Sequence, residues 1–581
     1  MPRRREAAGL HLVLTSSFIM CEQNVNGVER EMLELIRAAS YRQREGLGTS
    51  SIRVTILAQT GDASVRNASA LRDLGASVGV PVSITTLHSV TSLPAIRNTG
   101  GKASARCARC MLAIPAQRDV RRAIEEVVEA EARNKRRPGG AGEGAAGAGV
   151  GAGALSAPAA VALMTISEHP LDIMMARACS ELRRRGSLGG VRLVHVAGIL
   201  SRMDSMVEEQ VIEALPWAPR ALSTAVLGGL GRMTDAVLRD ADCIMLRTRQ
   251  HAADLGLARD SRTRVVYSAT DRALASAARA LRASTGATRR AGLVCVSRLA
   301  HHKGTHIVVR AAVLASAAAS RSGRGAQSGR CAMVRLVGGD ASCTDGLRRE
   351  IRGAAPAVIS VGQKCGEALV SEFLTATASC LPSEAETFGR VIAESVMCGC
   401  ACLVPDSGHH LSWIEEEGWC DSTSVRVGEP DFEGAGEGAQ PWAVSGHAAP
   451  VVLVRVAHLS DDDREEGRVR AWAAAIRWAL HPDNALMREC SACALRVSES
   501  LVPGDEAEAK EQLRLAVAQD TIGAKQLAIA EEVAWAEAAR HPQRTSAELS
   551  HASVVTLSVI AYTLIFSAAV LFIVATRFMS R

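Results

Sequence analysis

The sequence predicts an α/β protein made of two Rossmann-like domains, followed by a transmembrane helix close to the C-terminus. Short apolar runs alternate with amphipathic segments, and this series occurs twice along the 581 residues, divided near 272–290. Near-continuous apolar strands that alternate with helices are typical of parallel sheets covered by helices on both faces. We therefore expect two parallel sheets, with ligand sites at the carboxyl ends of their strands and in the cleft between them.

Each predicted strand is a short apolar run, and most of these runs are followed by a segment with helical periodicity. In the first half, strands are predicted at 10–14, 52–58, 161–165, 191–196, 243–246 and 264–267. In the second half, they are predicted at 292–297, 333–337, 358–361, 378–381 and 401–404. The clearest amphipathic helices are expected at 30–39 and 171–185.

The chain is long enough for several domains, because one hydrophobic core does not serve this many residues. We expect an N-terminal Rossmann-like domain at 8–275, a C-terminal one at 290–500 and a helical segment at 505–545. Residues 138–160 are mostly Gly and Ala, which cannot bury a core, so we expect a flexible insertion there. Residues 433–446 look like a shorter loop of similar composition.

Residues 554–575 form a long apolar stretch without any charged residue. A helix of about 20 apolar residues crosses the hydrocarbon core of a bilayer, which predicts a tail anchor at 553–576. Polar residues interrupt the apolar segment at 10–20, and no small-residue cleavage pattern follows it. We therefore interpret its beginning as a strand and not as part of a signal peptide. A single-pass protein whose body faces the cytosol is expected.

Composition excludes several classes of function. The net charge of +6 is small for this length, and the arginines are dispersed, so we expect no nucleic-acid partner. The 16 cysteines show no regular spacing, which indicates reduced thiols and not a disulfide framework. Cys107 and Cys110 form a single CxxC without a second pair, so no metal site is predicted.

Two basic residues follow the first strand of the second domain. Arg298 and Lys303 stand in the loop between strand 292–297 and the next helix. Two cations in such a loop suit a diphosphate, whose negative charge must be neutralised when it leaves. These residues are therefore candidates for binding a nucleotide.

Two carboxylates occur where a later strand leads into a helix. Glu386 lies in the loop after strand 378–381, and Glu394 lies eight residues further on, on the predicted helix. A carboxylate is a natural acceptor for the hydroxyls of a sugar or a ribose. Gly389 permits close approach of the backbone, and the free N–H groups of the helix start would hold an anion.

This segment resembles the E-x7-E signature of retaining glycosyltransferase family 4. The typical form is S-x-x-E-x-F-G-x-x-x-x-E-A-x-x-x-G, and the residues that fall on it are Ser383, Glu386, Phe388, Gly389, Glu394 and Gly399. Arg298, Lys303 and Gly304 resemble the upstream G-R-L-x-x-x-K-G of the family, and Gly338 with Gly339 resembles its glycine loop. The resemblance covers residues 292–414.

The resemblance implies a GT-B fold and transfer of a sugar from a UDP- or GDP-sugar with retention of configuration. It implies no cofactor and no obligatory metal. Arg298 and Lys303 would stabilise the departing diphosphate, while Glu386 would position the donor sugar. The donor contacts would further include the Gly338 loop, Phe388 and the amide of Gly389, with Glu394 on the ribose.

In the first domain, on the acceptor side, the resemblance is thinner. It implies that Gly27 belongs to the glycine loop after the first strand, and that His195 contacts the donor from the opposite wall of the cleft. Residues 265–271 retain only the Asp of the usual Pro-Asn-Gly-Val-Asp turn. Gly408, His409 and Ser412 stand where the family often has Gly-Gly-x-x-Glu, so the identity of the sugar stays open.

A catalytic body followed by a C-terminal span is similar to the catalytic subunits of phosphatidylinositol N-acetylglucosaminyltransferases. This similarity implies the endoplasmic reticulum membrane, a lipid or lipid-linked acceptor and other membrane subunits as partners. A mannosyltransferase acting on a lipid-linked oligosaccharide is equally allowed. The alternatives outside transfer chemistry are a nucleotide-sugar 2-epimerase, which uses the same fold, and a non-catalytic membrane-anchored subunit.

Overall fold

A computed structural model describes most of the two predicted domains. The described residues are 9–16, 27–45, 51–59, 71–87, 117–136, 160–165, 170–186, 188, 191–198, 235, 237–267, 272–285, 290–321, 333–339, 343, 345–383, 386, 388–428, 443–456, 464–502 and 521–535. Most of the expected insertion at 138–160 and all of the expected tail anchor at 553–576 lie outside this part of the chain.

The first half of the chain forms a seven-stranded parallel sheet with the order β3-β2-β1-β4-β5-β6-β7. The strands are β1 (Gly9–Ser16), β2 (Ser51–Gln59), β3 (Val82–Leu87), β4 (Ala160–Thr165), β5 (Arg192–Gly198), β6 (Cys243–Leu246) and β7 (Thr263–Val265). Every residue of β4 is buried, as expected for a central strand with helices on both faces. Strand β3 escaped prediction because it lies at the sheet edge and contains exposed polar residues.

The second half forms an eight-stranded sheet with the order β10-β9-β8-β11-β12-β15-β13-β14. Its strands are β8 (Leu293–Val296), β9 (Val334–Val337), β10 (Val358–Gly362), β11 (Ala378–Cys380), β12 (Cys402–Pro405), β13 (Arg426–Gly428), β14 (Ala443–Ser445) and β15 (Val451–Val454). Only β14 is antiparallel, paired with β13. The prediction of a loop throughout 433–446 is therefore wrong at its end, because residues 443–445 form this edge strand.

Helices cover both sheets. They are α1 (Gly27–Arg44), α2 (Gln117–Arg136), α3 (Pro170–Arg185), α4 (Arg249–Asp254), α5 (Arg272–Thr285), α6 (Thr305–Arg321), α7 (Asp345–Gly353), α8 (Gly366–Thr375), α9 (Arg390–Met397), α10 (His410–Glu416), α11 (Arg464–Ala479), α12 (Ala485–Ser500) and α13 (Ile522–Trp535). Two parallel sheets in an α/β arrangement agree with the predicted fold class.

One hydrophobic cluster contains side chains from both halves of the chain. It includes Leu12 and Met245 from the first sheet, Phe388 and Trp413 from the second half, and Leu527 from α13. Helix α13 packs against α1 and against β4 and β5. The part of the predicted 505–545 segment that is described thus returns to the first domain.

No helix within the described ranges is both long enough and apolar enough to cross a membrane. The predicted span at 554–575 is outside those ranges, so it stays a prediction.

Candidate active site

The two loops that carry the predicted donor-binding residues meet at the switch point of the second sheet, where β8 lies between β9 and β11. Gly304 follows the short 3-10 helix His301–Lys303 and adopts a left-handed φ of 68°. A Cβ atom at Gly304 would lie 2.7 Å from the carbonyl oxygen of Pro382. Only glycine fits this close approach, which brings the loop after β8 against the loop after β11.

This approach places Lys303 and Glu386 in contact. The Lys303 ammonium donates a hydrogen bond to the Glu386 carboxylate, and both side chains are 15% exposed. Burial alone raises the pKa of Glu386, but Lys303, His410 and Arg298 lower it, and the pKa falls below its ordinary value. The site therefore holds an ionised carboxylate beside a cation, with some access to solvent.

Arg298 and Gly338 lie at the ends of neighbouring strands. Arg298 follows β8 and its side chain is exposed, so its guanidinium is available to a ligand. The amide of Gly338, after β9, donates to the carbonyl of Gly362 at 3.1 Å. A Cβ atom at Gly338 would lie 1.8 Å from the carbonyl oxygen of Ser297. Gly338 thus lets the end of β9 pack directly against the residue before Arg298.

Helix α9 begins where the sequence predicts an anion-binding helix start. Gly389 precedes it with a left-handed φ of 68°, and no side chain within the described region caps this helix. The N–H groups of its first turn are therefore suited to bind an anion. Glu394 lies in the second turn of α9 and is half-buried.

The side chain of Phe388 is buried against two other aromatic rings. Its ring is 5% exposed, and its centroid lies 4.7 Å from that of Trp413 and 6.0 Å from that of Tyr267. The indole N–H of Trp413 donates to the backbone carbonyl of Phe388 at 2.6 Å. The aromatic contacts fix the loop that carries Glu386 against α10, so Phe388 supports the site from behind.

Tyr267 lies in the 265–271 turn, where the sequence departs from the usual Pro-Asn-Gly-Val-Asp pattern. Its hydroxyl donates to the Glu416 carboxylate at 2.9 Å. Burial and the adjacent Glu416 raise the pKa of this hydroxyl. The turn thus contributes a contact between the two halves of the chain, although its sequence differs from the usual one. Asp271 lies outside the described residues.

His410 is a site residue that the sequence reasoning missed. It follows β12, is fully buried, and its Nε2 donates to the carbonyl of Pro405 at 3.3 Å. Burial lowers the pKa of His410 to about 4, although Glu386 acts in the opposite direction. The only signal in the sequence was the replacement of the family's Gly-Gly loop by a segment containing two histidines.

His195 and Gly27 belong to the first sheet and its first helix. Gly27 is the first residue of α1. His195 is fully buried in β5, where its Nε2 lies 3.3 Å from the hydroxyl of Thr165. Burial lowers the pKa of His195 to about 4. Within the described region, no contact joins His195 to the Lys303–Glu386 pair, and its proposed role toward the donor stays a prediction.

Several polar contacts connect the two halves of the chain beside the site. Arg390 pairs with Glu34 of α1 at 2.9 Å. His409 pairs with Asp254 of α4 at 2.6 Å, and its ring stacks on that of His251 with centroids 5.5 Å apart. These residues place α9 and α10 of the second half against α1 and α4 of the first.

Among the described residues, the geometry brings together the Glu386 carboxylate, the cations Lys303 and Arg298, and a helix start without a side-chain cap. Residues 279–425 match the family described as Glycosyl transferases group 1, and this segment contains every site residue predicted in the second half. The matched segment therefore resembles a glycosyl transferases group 1 domain. Together with the two parallel sheets, the match supports the predicted α/β GT-B architecture. A comparison with curated protein sequences gives no match.

Among solved structures, the chain is similar to Anabaena HepE in complex with UDP and glucose, at 14% identity and a TM-score of 0.44 over 88% of this chain and 99% of that one. It is similar to sucrose-phosphate synthase from Thermosynechococcus elongatus, at 15% identity and a TM-score of 0.45 over 88% and 98%. A third similar structure is that of an α,α-trehalose-phosphate synthase (UDP-forming) from Burkholderia vietnamiensis, at 11% identity and a TM-score of 0.42 over 90% of this chain and 100% of that one.

Proposed function

We propose that the protein is a retaining hexosyltransferase of the glycosyltransferase family 4 type. It moves a sugar from a UDP- or GDP-sugar to a lipid or lipid-linked acceptor. The observation that carries this proposal is the Lys303–Glu386 ion pair, which lies at the switch point of a glycosyl transferases group 1 domain. An anion-binding cation and a hydroxyl-binding carboxylate in contact are suited to the diphosphate and the adjoining sugar of a nucleotide-sugar.

The charges of the site suit departure of a diphosphate. When the bond from the anomeric carbon to the diphosphate breaks, negative charge develops on the leaving oxygen. Lys303 and Arg298 neutralise that charge, assisted by the N–H groups at the start of α9. The acceptor oxygen then bonds to the anomeric carbon on the face that the diphosphate leaves, and its proton passes to the departing phosphate or to water.

Glu386 and Glu394 provide hydrogen-bond acceptors. The depressed pKa of Glu386 keeps this carboxylate ionised, so it accepts hydrogen bonds from hydroxyls of the donor sugar. Glu394, in the second turn of α9, is assigned to the ribose hydroxyls. Fixing both ends of the donor orients the anomeric carbon toward the acceptor, which lowers the entropic part of the barrier.

A membrane acceptor is the second part of the proposal. It is supported by the uncharged segment at 554–575 and by the similarity to the catalytic subunits of phosphatidylinositol N-acetylglucosaminyltransferases. We assign the protein to the endoplasmic reticulum membrane with its catalytic part in the cytosol. A lipid-linked oligosaccharide is the alternative acceptor, since the contacts of the donor site do not distinguish the two.

The test is a panel of UDP- and GDP-sugars offered to the full-length protein in membranes that contain candidate lipid acceptors. Transfer of one sugar with retained anomeric configuration, undiminished by a chelator, is the expected result. Formation of an isomer from the donor alone would indicate an epimerase instead. Donor binding without turnover on any acceptor would indicate a non-catalytic subunit, and restoration of a chelated enzyme by Mn²⁺ would contradict the metal-free mechanism.

A further inference from the structure

His410 lies between the two loops of the site and has no role in the transfer step described above. Its ring is fully buried at the start of α10, with Nε2 bonded to the carbonyl of Pro405. Because a carbonyl oxygen only accepts hydrogen bonds, Nε2 carries a proton, and a neutral ring leaves Nδ1 as a bare acceptor. This buried Nδ1 has no hydrogen-bond partner among the described residues.

Groups around the ring act on its second proton in opposite directions. The backbone carbonyl of Glu386 lies beside the ring and favours an imidazolium, as does the charge of the Glu386 carboxylate. Burial and the neighbouring His409 act in the opposite direction, and burial is the largest effect, so the pKa of His410 is about 4. The neutral ring donates to the carbonyl of Pro405, and Nδ1 makes no hydrogen bond within the described part of the chain.

The charge that His410 meets depends on the Lys303–Glu386 pair. The charged and titratable groups on the elements around the ring are Glu386, Lys303, Arg298, Asp406, His409, Arg249, His251, Asp254, Glu415 and Glu416. His409 is bonded to Asp254 at 2.6 Å, whereas the Glu386 carboxylate is paired with Lys303. A change in the pairing of Lys303 therefore alters the charge that Glu386 presents to His410.

A nucleoside diphosphate would make such a change. Its phosphate oxygens compete with Glu386 for the ammonium of Lys303, and they add negative charge to the site. Both effects favour an imidazolium at His410. An imidazolium has two N–H donors, which match the carbonyls of Pro405 and Glu386.

We propose that His410 is a proton-linked positioning residue: it takes up a proton when a nucleoside diphosphate binds, and then holds the Glu386 loop to the end of β12 through both carbonyls. The inference rests on the proposed function, because it requires a diphosphate at Lys303. The proton comes from solvent and returns to it when the nucleotide leaves.

The test is calorimetric titration of UDP and of GDP into the full-length protein, in two buffers of different ionisation enthalpy. The number of protons taken up per bound nucleotide is compared between the native protein, His410→Asn and His447→Asn. His447 is a matched control because its side chain is 58% exposed. Protons exchanged by the nucleotide's own phosphate are common to all three proteins and cancel in the difference.

We expect the native protein and His447→Asn to take up about half a proton or more beyond His410→Asn near pH ~6. Equal uptake in the three proteins would overturn this inference and leave the proposed function intact. Binding of neither nucleotide would remove the proposed function, and this inference with it.

A second measurement needs no folded variant. In protein carrying ¹³C-labelled histidine rings, the imidazole carbon shifts report the protonation of each ring directly. We expect one histidine ring to become protonated when the nucleotide that the protein binds is added. If His410→Asn does not fold, the absence of any newly protonated ring in the native protein overturns the proposal.

Discussion

The guanidinium of Arg390 donates to the carboxylate of Glu34 at 2.9 Å and so joins the first residue of α9 to α1 in the first half of the chain. The two side chains are 23% and 11% exposed. Because Arg390 directly follows Gly389, this ion pair ties the anion-binding helix start to the first domain. This ion pair is one of several contacts that join the two halves of the chain beside the site.

We predict that Arg390→Ala lowers kcat/KM about tenfold, because misplaced reactants lose part of the benefit of orientation. A double-mutant cycle with Glu34→Gln should give a coupling energy of about 1 kcal/mol in thermal unfolding. Arg349→Ala, at an exposed position of α7, is the matched control. If Arg390→Ala and Arg349→Ala have the same kcat/KM, the ion pair has no part in catalysis.

The second prediction concerns Gly338. Because Gly338 has no side chain, the backbone of Ser297 can approach it closely. A Cβ atom at position 338 would lie only 1.8 Å from the carbonyl oxygen of Ser297. Gly338→Ala must separate the ends of β8 and β9, so we expect it to destabilise the fold by about 1–3 kcal/mol and to weaken nucleotide binding. Gly353→Ala, where a Cβ meets nothing within 4 Å, is the control. Unchanged binding of UDP or GDP to Gly338→Ala would show that this strand end does not shape the site.

The third prediction is the pH dependence of stability that arises from His195. Its pKa is about 4 in the folded protein and about 6.5 in an unfolded chain. Since the unfolded state binds the proton more strongly, stability is full above the unfolded pKa and falls as the pH drops toward the folded one. The loss is on the order of 3 kcal/mol for one such residue.

His195→Gln should therefore show a shallower decline in unfolding free energy between pH about 6.5 and 4 than the native protein. Chemical denaturation at a series of pH values measures this slope. The exposed His447→Gln should leave the slope unchanged. Identical slopes in all three proteins would contradict a lowered pKa of His195 in the folded protein.

The central strands of both sheets could be predicted because they are continuous apolar runs, as β4 with its fully buried residues illustrates. Strand β3 could not, since an edge strand keeps polar residues exposed. Strand β14 has only three residues and follows a glycine-rich segment. The return of α13 to α1 is a long-range contact, and no local pattern in the sequence specifies which surface a helix of this kind covers.

The candidate site shows the same division. The pattern of Lys303, Glu386 and Gly389 identified the two loops that meet, because short sequence motifs mark the ends of the strands that carry them. The neighbours of His410 were not predictable, since they depend on β12 lying beside β11. For His195 the sequence indicated a histidine in a strand, but it did not indicate that the ring is fully buried.

The fourth prediction concerns the membrane. Truncation before Ala552 should release a soluble protein that still binds its nucleotide but loses efficiency on acceptors embedded in membranes, because the uncharged stretch at 554–575 is removed. In sealed microsomes, added protease should digest the body and spare a small C-terminal fragment. Protection of the body, or N-glycans on it, would show the inverted topology.

The most direct test of the proposed chemistry is the turnover of Glu386→Gln with the sugar nucleotide that the native protein uses. The substitution keeps the shape of the side chain but removes the charge that Lys303 and the donor hydroxyls meet. The exposed Glu367→Gln, on α8 of the same domain, is the matched control. Lys303→Ala removes the other member of the pair and should have a similar effect.

We predict that kcat falls about 100-fold or more in Glu386→Gln, as expected for loss of one preorganised contact to the transition state, while Glu367→Gln stays close to the native value. Unchanged melting temperatures would show that both variants are folded. A folded Glu386→Gln protein that turns over at the native rate would contradict the assignment of this carboxylate and its lysine as the centre of the active site.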